Sequence, residues 1–212
     1  MSAPAATPEA FIGLFITTEK HRGKGIGSYI FSLVMNLLGD RNVVLDSLVN
    51  ATMFYTSRGF HQTGMVQYSV AGTPTPIPKS QLATDITVEH VTGDNIDDMV
   101  NYESSICVVE RSKFIKAWAK RGDAYMARRD GKVCGICVVW KYKPDRYRLA
   151  AFYADDIEIA KSILSRIITD LTGRGSLLLY FPHDNLNNAS QLLDVFSIAF
   201  DKKIDNICFQ YL

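Results

Sequence analysis

The chain has 212 residues, of which 47% are hydrophobic, 21% charged and 11% aromatic, a globular profile with room for one large domain or two small ones. A formal net charge of +1 creates no global field that would draw nucleic acid or an anionic membrane. No apolar run approaches the roughly 20 residues a bilayer span needs, and the opening MSAPAATPEA lacks the basic and apolar regions of a signal peptide, so a cytoplasmic setting with four reduced cysteines is expected.

Phe11 to Thr17 (FIGLFIT) is apolar, aromatic and β-branched, and reads as a strand. A glycine-rich turn, Arg22 to Gly27, follows. Ser28 to Leu38 is too densely apolar for a narrow stripe and predicts a well-buried helix that stops near Gly39. Asn42 to Leu45 predicts a short strand ending at Asp46-Ser47. Ala51 to Arg58 predicts a short helix closed by Gly59, and Gln62 to Val70 another strand. Gly72 to Ser80 holds three of the seven prolines, which disfavour helix and central strand alike. A boundary is therefore expected there: a first module over 1–70, a linker over 71–84 and a second module over 85–212.

The second half begins with a strand over Ile86 to Val91 and helices over Asn95 to Ser104 and Arg111 to Lys120. Asp123 to Arg128 and Lys132 to Trp140 predict a hairpin turning at Asp130-Gly131. Arg146 to Tyr153 predicts a strand. Ile157 to Leu171 carries apolar residues at helical spacing, and Ser176 to Phe181 reads as a buried strand. A helix over Asn188 to Phe196 and a strand over Asn206 to Leu212 complete the chain. Strands alternating with helices in both halves point to an α/β or α+β architecture.

The strongest local signal is Arg22-Gly23-Lys24-Gly25-Ile26-Gly27, set between a predicted strand and a predicted helix. Glycines allow a tight turn and a close backbone approach. Amides at the helix start then point at an anion, and the helix dipole favours negative charge there. Arg22 and Lys24 add positive side chains, so a pyrophosphate suits the loop. A P-loop would need Lys-Ser/Thr after its last glycine, but Ser28-Tyr29 follows. A Rossmann fingerprint needs G-x-G-x-x-G, whereas Gly23, Gly25 and Gly27 are spaced G-x-G-x-G. A tight turn that binds nothing is the alternative on the loop alone.

The sequence R-G-K-G-I-G after a strand resembles the GNAT acetyltransferase loop, Q/R-x-x-G-x-G/A, with Arg22, Gly25 and Gly27 at the patterned positions. The resemblance implies that Arg22, Gly23, Lys24, Gly25, Ile26, Gly27 and Ser28 hold the pyrophosphate of acetyl-CoA as cosubstrate. It also implies that the backbone at Phe15, Ile16 and Thr17 bonds the pantetheine arm. A second stretch, Leu45-Asp46-Ser47 running to Phe54-Tyr55-Thr-Ser-Arg-Gly59-Phe60, is similar to the family's ending in Tyr, three variable residues and Gly-Phe. Asp46 and Tyr55 have the spacing of the branch with Leu-Asp-Ala nine residues before its Tyr, although Leu48 stands where many members carry Asn. In the family this Tyr lies near the CoA sulfur, which makes Tyr55 the candidate general acid; a phenol is protonated at neutral pH. Packing beneath the CoA site is the bland alternative for an aromatic here, a role read for Phe54. Asp46 is a candidate base, though a strand-end Asp also caps turns, and His21 adjoins the loop.

A complete GNAT module places three strands and two helices before this loop. Here the resemblance begins at the fourth strand, so those elements are expected from elsewhere in the gene, from the second half or from pairing with another chain, a homo-oligomer included. The implied fold is a partial GNAT acyltransferase module followed by a second, GNAT-like mixed-sheet module. LAAFYADDIEIA (Leu149 to Ala160) and YFPHDNLNNASQLL (Tyr180 to Leu193) carry the second resemblance. Ala154-Asp155-Asp156-Ile157-Glu158 stands where the glycine loop would be, and its acids would repel a pyrophosphate. The implied activity is direct acetyl transfer to an amine-bearing small molecule or peptide, without metal, nucleic acid or membrane; a CoA-binding module without turnover is the alternative.

Cys134-Gly-Ile-Cys137 lies on one predicted strand, where alternation sends the two thiols to opposite faces, so small buried residues are expected rather than a redox pair. Cys107 and Cys208 have no partner pattern. His183-Asp184 reads as a polar loop.

Overall fold

The computed structural model describes residues 9–73, 76, 78–107, 110–182, 190–192, 194 and 204–211. The chain divides into two compact units, Met1–Tyr68 with Asp205–Leu212, and Ser69–Ile204. Each is built of mixed strands and helices. Among the described residues no helix is long and apolar enough to cross a membrane.

In the first unit β1 (Glu9–Ile12) leads through a loop into α1 (Ile26–Leu38), then β2 (Asn42–Leu48), the short α2 (Thr52–Thr56) and β3 (His61–Gly72). The last strand of the chain, β9 (Ile204–Tyr211), is inserted between β2 and β3, giving the order β1-β2-β9-β3. β1 runs parallel to β2, with Phe11 opposite Val44 and Ile12 opposite Leu45. β9 runs antiparallel to β2, with Asp46 opposite Phe209. Phe31, Val43, Leu45, Tyr55 and Phe60 form the core, with Phe15, Met35, Leu38 and Phe54 packed against it.

Two expectations are corrected here. The strand read over Phe11 to Thr17 stops at Ile12, because Leu14 adopts a left-handed backbone (φ 56°) that no strand accommodates. The helix read as well buried is buried on one side only. Its apolar positions form two stripes on opposite sides: Phe31, Met35 and Leu38 face the core, while Tyr29, Ile30, Leu33 and Leu37 are exposed. A dense apolar helix does not by itself announce how many of its faces meet a neighbour.

The second unit contains β4 (Ile86–His90), α3 (Ile96–Ile106), α4 (Ser112–Arg121), β5 (Asp123–Arg129), β6 (Lys132–Lys143), β7 (Arg146–Ala154), α5 (Ile157–Leu171) and β8 (Ser176–Pro182). The order is β8-β7-β6-β5-β4, with β7 and β8 parallel and the rest antiparallel. The hairpin turns at Asp130 (φ 51°) and Gly131 (φ 75°), the left-handed pair that an Asp-Gly turn supplies. Tyr125, Ala127, Cys137 and Val139 face α5, whose buried Ile159, Ile163, Leu164, Ile167 and Ile168 are its helical stripe. Their neighbours Ala124, Met126, Ile136 and Val138 face α3 and α4. Between α3, α4 and β7 the fully buried Glu103 pairs with the Arg111 guanidinium, which also donates to the Tyr153 hydroxyl at 2.8 Å.

Cys134 and Cys137 are both buried, but alternation does not separate them: both join the α5-facing core. Ala127 pairs with Gly135 and Arg128 with Val133, so Cys134 is the extra residue of a β-bulge and the face count resets there. The helix expected over Asn188 to Phe196 lies largely outside the described residues, as do His183 and Asp184. The final strand is present as β9.

Two measurements check this packing. A Cβ on Gly135 would lie 2.7 Å from Ile159 Cγ2 and 2.8 Å from Ile163 Cδ1, so Gly135→Ala is expected to lower stability by about 2 kcal/mol in urea unfolding. At the start of α5, the Asp156 carboxylate accepts from the Ile159 amide at 2.9 Å and from Arg129 at 2.6 Å. Burial pushes its titration up, but these bonds outweigh that and hold the carboxyl below its ordinary value. Asp156→Ala should therefore cost about 1 kcal/mol at neutral pH. The cap contribution is complete above the ordinary Asp range near pH 4 and fades as pH falls through the lower folded value. The gap between wild type and variant is thus expected to narrow on acidification.

Candidate acyl donor site

After Ile12 the first unit's parallel strands part. β1 ends, whereas β2 continues to Leu48 paired with β9, so Phe15–Thr17 has no ladder partner on β2. Leu14, 93% exposed, makes the turn that frees this segment. A one-turn 3-10 helix, Glu19–His21, then leads to Arg22.

Gly23 (φ 70°) and Gly25 (φ 78°) are left-handed, a conformation that costs side-chain-bearing residues about 1 kcal/mol or more. Nothing lies within 4 Å of where their Cβ atoms would be, so the loop is open above both glycines. Gly25 caps α1, and the first intrahelical bond runs from the Tyr29 amide to the Gly25 carbonyl at 2.9 Å. The amides of the preceding turn have no intrahelical acceptor. No acidic residue stands in that first turn.

The residues singled out in the sequence come together here. The Arg22 Nε donates to the Thr17 carbonyl at 3.0 Å. A Cβ on Gly27 would sit 3.1 Å from Thr17 Oγ1 and 3.7 Å from Phe15 Cζ, so the helix start abuts the Phe15 and Thr17 side chains. Ile16 projects outward, and Lys24 and Ile26 are exposed beside the loop. The Ser28 hydroxyl, in the first turn of α1, accepts from Arg58 Nη2 at 3.0 Å. His21 is exposed on its short helix, and Asp46 lies on β2.

Tyr55 occupies a different environment. Its ring is buried among Phe54, Phe31 and Phe60, with centroids 5.1, 5.7 and 6.0 Å away. Burial pushes its phenol above the ordinary value, so it stays protonated through neutral pH. Phe54, read from sequence as the packing residue, is only partly buried. It stacks with Phe15 at 5.9 Å and carries the Arg58 guanidinium 3.7 Å from its ring centroid. The sequence reading missed Arg58. Its only signal was a cation among the three variable positions between Tyr55 and Gly59.

The corresponding place in the second unit is filled from within. Asp156 occupies the N-terminus of α5 and pairs with Arg129, while Asp155 accepts from the Tyr102 hydroxyl at 2.7 Å. The helix amides that an anion would need already have a carboxylate.

Residues 99–201 match the family model of the acetyltransferase (GNAT) domain. The holothin acyltransferase of Pseudoalteromonas sp. (strain SANK 73390) is 21% identical over 164 residues, which are 76% of this chain and 54% of that protein. An uncharacterised Caenorhabditis elegans protein is 25% identical over 201 residues, covering 90% of this chain and 62% of that one. The chain therefore spans only 54% and 62% of the curated relatives it matches. Among solved structures, a tandem GNAT protein from the clavulanic acid biosynthesis pathway superposes with a TM-score of 0.67 at 12% identity, over 99% of this chain and 76% of that one. The chain thus shares its fold with solved GNAT proteins, and the match to the GNAT domain model covers residues 99–201.

Proposed function

We propose that the chain belongs to an N-acetyltransferase that binds acetyl-CoA through its first unit and passes the acetyl group directly to an amine-bearing small molecule or peptide in the cytoplasm. The observation that carries this reading is the open, left-handed loop at Gly23 and Gly25. It leads into the N-terminus of α1, whose first-turn amides lack intrahelical acceptors, near a segment released from its strand ladder on β2. A diphosphate fits the amides and the cations Arg22 and Lys24. An extended amide-bearing arm fits a segment, Phe15–Thr17, that has no ladder partner on β2 and whose Thr17 carbonyl already accepts from Arg22. In this reading residues 1–70 form the donor-binding part of a GNAT module, 71–84 a linker and 85–212 a second GNAT-like module whose last strand, β9, pairs with β2 of the first unit. That second module does not hold CoA at its acid-capped α5.

In the transfer the amine nitrogen bonds to the thioester carbonyl carbon, the carbon–sulfur bond breaks, and the leaving sulfur takes a proton. Tyr55 is the proposed donor of that proton, and solvent restores it. The amine's own proton leaves to solvent or to a base. The phenol is protonated at neutral pH, as a general acid must be.

One observation favours a second reading, CoA binding without turnover: the Tyr55 ring is enclosed by three phenylalanines rather than presented to solvent. Thioester cleavage measured across a panel of amines separates the two. The enzyme reading expects amine-dependent release of CoA, and a kcat for Tyr55→Phe reduced on the order of a hundredfold with an unchanged KM for acetyl-CoA. Saturable binding with no release for any amine supports the second reading. Absence of saturation by acetyl-CoA defeats both.

A further inference from the structure

The expectation that nucleic acid plays no part rests on a net charge of +1, and that sum conceals an uneven distribution. α4 (SKFIKAWAKR) carries four cations and no acid. The β6–β7 hairpin, Lys132 to Ala154, carries five cations and one acid, Asp145. Lys116 pairs with Asp97 at 2.7 Å. Among the described residues, Lys113, Lys120, Arg121, Lys143, Arg146 and Arg148 have no acid within ion-pair distance. Lys143 stands opposite Arg146 in register, and like charges facing each other across a ladder cost stability.

A row of flat groups runs beside these cations. The Phe114 and Trp118 ring centroids are 4.4 Å apart, and those of Trp118 and Trp140 4.7 Å. Trp140 is the register partner of Arg148, and cross-strand partners share a face. The Arg148 guanidinium carbon in turn rests 4.7 Å from the Tyr180 centroid. The row therefore crosses from α4 over β6 and β7 to β8. Its middle is fixed: Trp140 Nε1 donates to the Trp118 carbonyl at 3.4 Å, and a Cβ on Gly122 would sit 2.8 Å from Trp140 Nε1, so the indole takes the space a side chain there would need. The row is not sealed from solvent. Phe114 is 45% exposed, Arg148 is exposed, and Trp118, Trp140 and Tyr180 are half-buried.

Rings and a guanidinium plane in file, flanked by cations that no acid neutralises, fit a polyanion whose repeat carries a flat ring. Phosphates meet the cations, and unstacked bases meet the rings and the Arg148 plane. An acidic peptide would use the cations and leave the rings idle. A duplex keeps its bases stacked on one another and offers the face only phosphates. DNA is ordinarily met in that form, whereas RNA loops and ends are not. We propose that this face of the second unit binds single-stranded RNA. The site lies wholly within the second unit and is independent of the donor-site reading.

Trp118 and Trp140 are the two tryptophans of the chain, so its indole fluorescence reports this row alone. Titration of the full chain with a short oligouridylate at low salt is expected to quench that fluorescence saturably. With about three phosphates neutralised, affinity should fall about twentyfold between roughly 50 and 200 mM salt. Phe114→Ala is expected to weaken binding on the order of tenfold. Lys120→Gln combined with Arg121→Gln is expected to weaken it and to flatten the salt dependence. An unchanged thermal unfolding midpoint confirms that each variant folds, and Arg148→Gln serves if one does not. Duplex RNA, polyglutamate and vesicles containing phosphatidylserine are the comparison titrants, and weaker binding of all three is expected. Absence of quenching by oligouridylate, quenching indifferent to these substitutions, or equal binding of any comparison titrant overturns the proposal.

Discussion

Backbone N–H groups at a helix start have no acceptor inside the helix, and a protein must decide what satisfies them. The two units of this chain decide differently. In the first, left-handed Gly23 and Gly25 swing the chain into α1 without a side chain above the turn. The exposed cations, the released Phe15–Thr17 backbone and the pinned Arg58 are arranged around those amides. A single Cβ at Gly25 would bring strain and bulk to this turn.

In the second unit the equivalent helix closes on itself. Asp156 caps α5, Arg129 neutralises Asp156, and Asp155 engages Tyr102. The family's domain match falls on this unit, whereas the glycine loop belongs to the other. The domain match and the glycine loop thus lie on different parts of the chain. A sheet with helices on both faces can persist on packing alone, and the stripe of α5 against Tyr125, Ala127 and Cys137 supplies that packing without regard to what the turn before it binds.

Periodicity made most elements legible. α5 was read over the residues it occupies, and the hairpin turn at Asp130-Gly131 followed from backbone requirements that few residues meet. The glycine loop was legible for the same reason. What escaped were features set by tertiary contact. Nothing local announces that Leu14 turns left-handed, that a bulge brings Cys134 to the face of Cys137, or that only one stripe of α1 meets a neighbour. Tyr55 and Phe54 are adjacent aromatics, and which of them is enclosed depends on Phe31 and Phe60. Arg58 drew no notice because its bond to Ser28 spans thirty positions of sequence.

The place of β9 carries a consequence for biosynthesis. β2 emerges from the ribosome early, yet Val44 pairs with Tyr211 and Leu48 with Ile207. The strand arrangement around the glycine loop can be completed only after residues 204–211 have been made, and closing so long a loop is slow. The second unit can gather its own strands in the meantime. Of the two units, the one with the glycine loop is therefore completed after the other. Until β9 arrives, β2 keeps an unpaired edge, the kind of surface that chaperones shield and that premature termination would leave permanently bare.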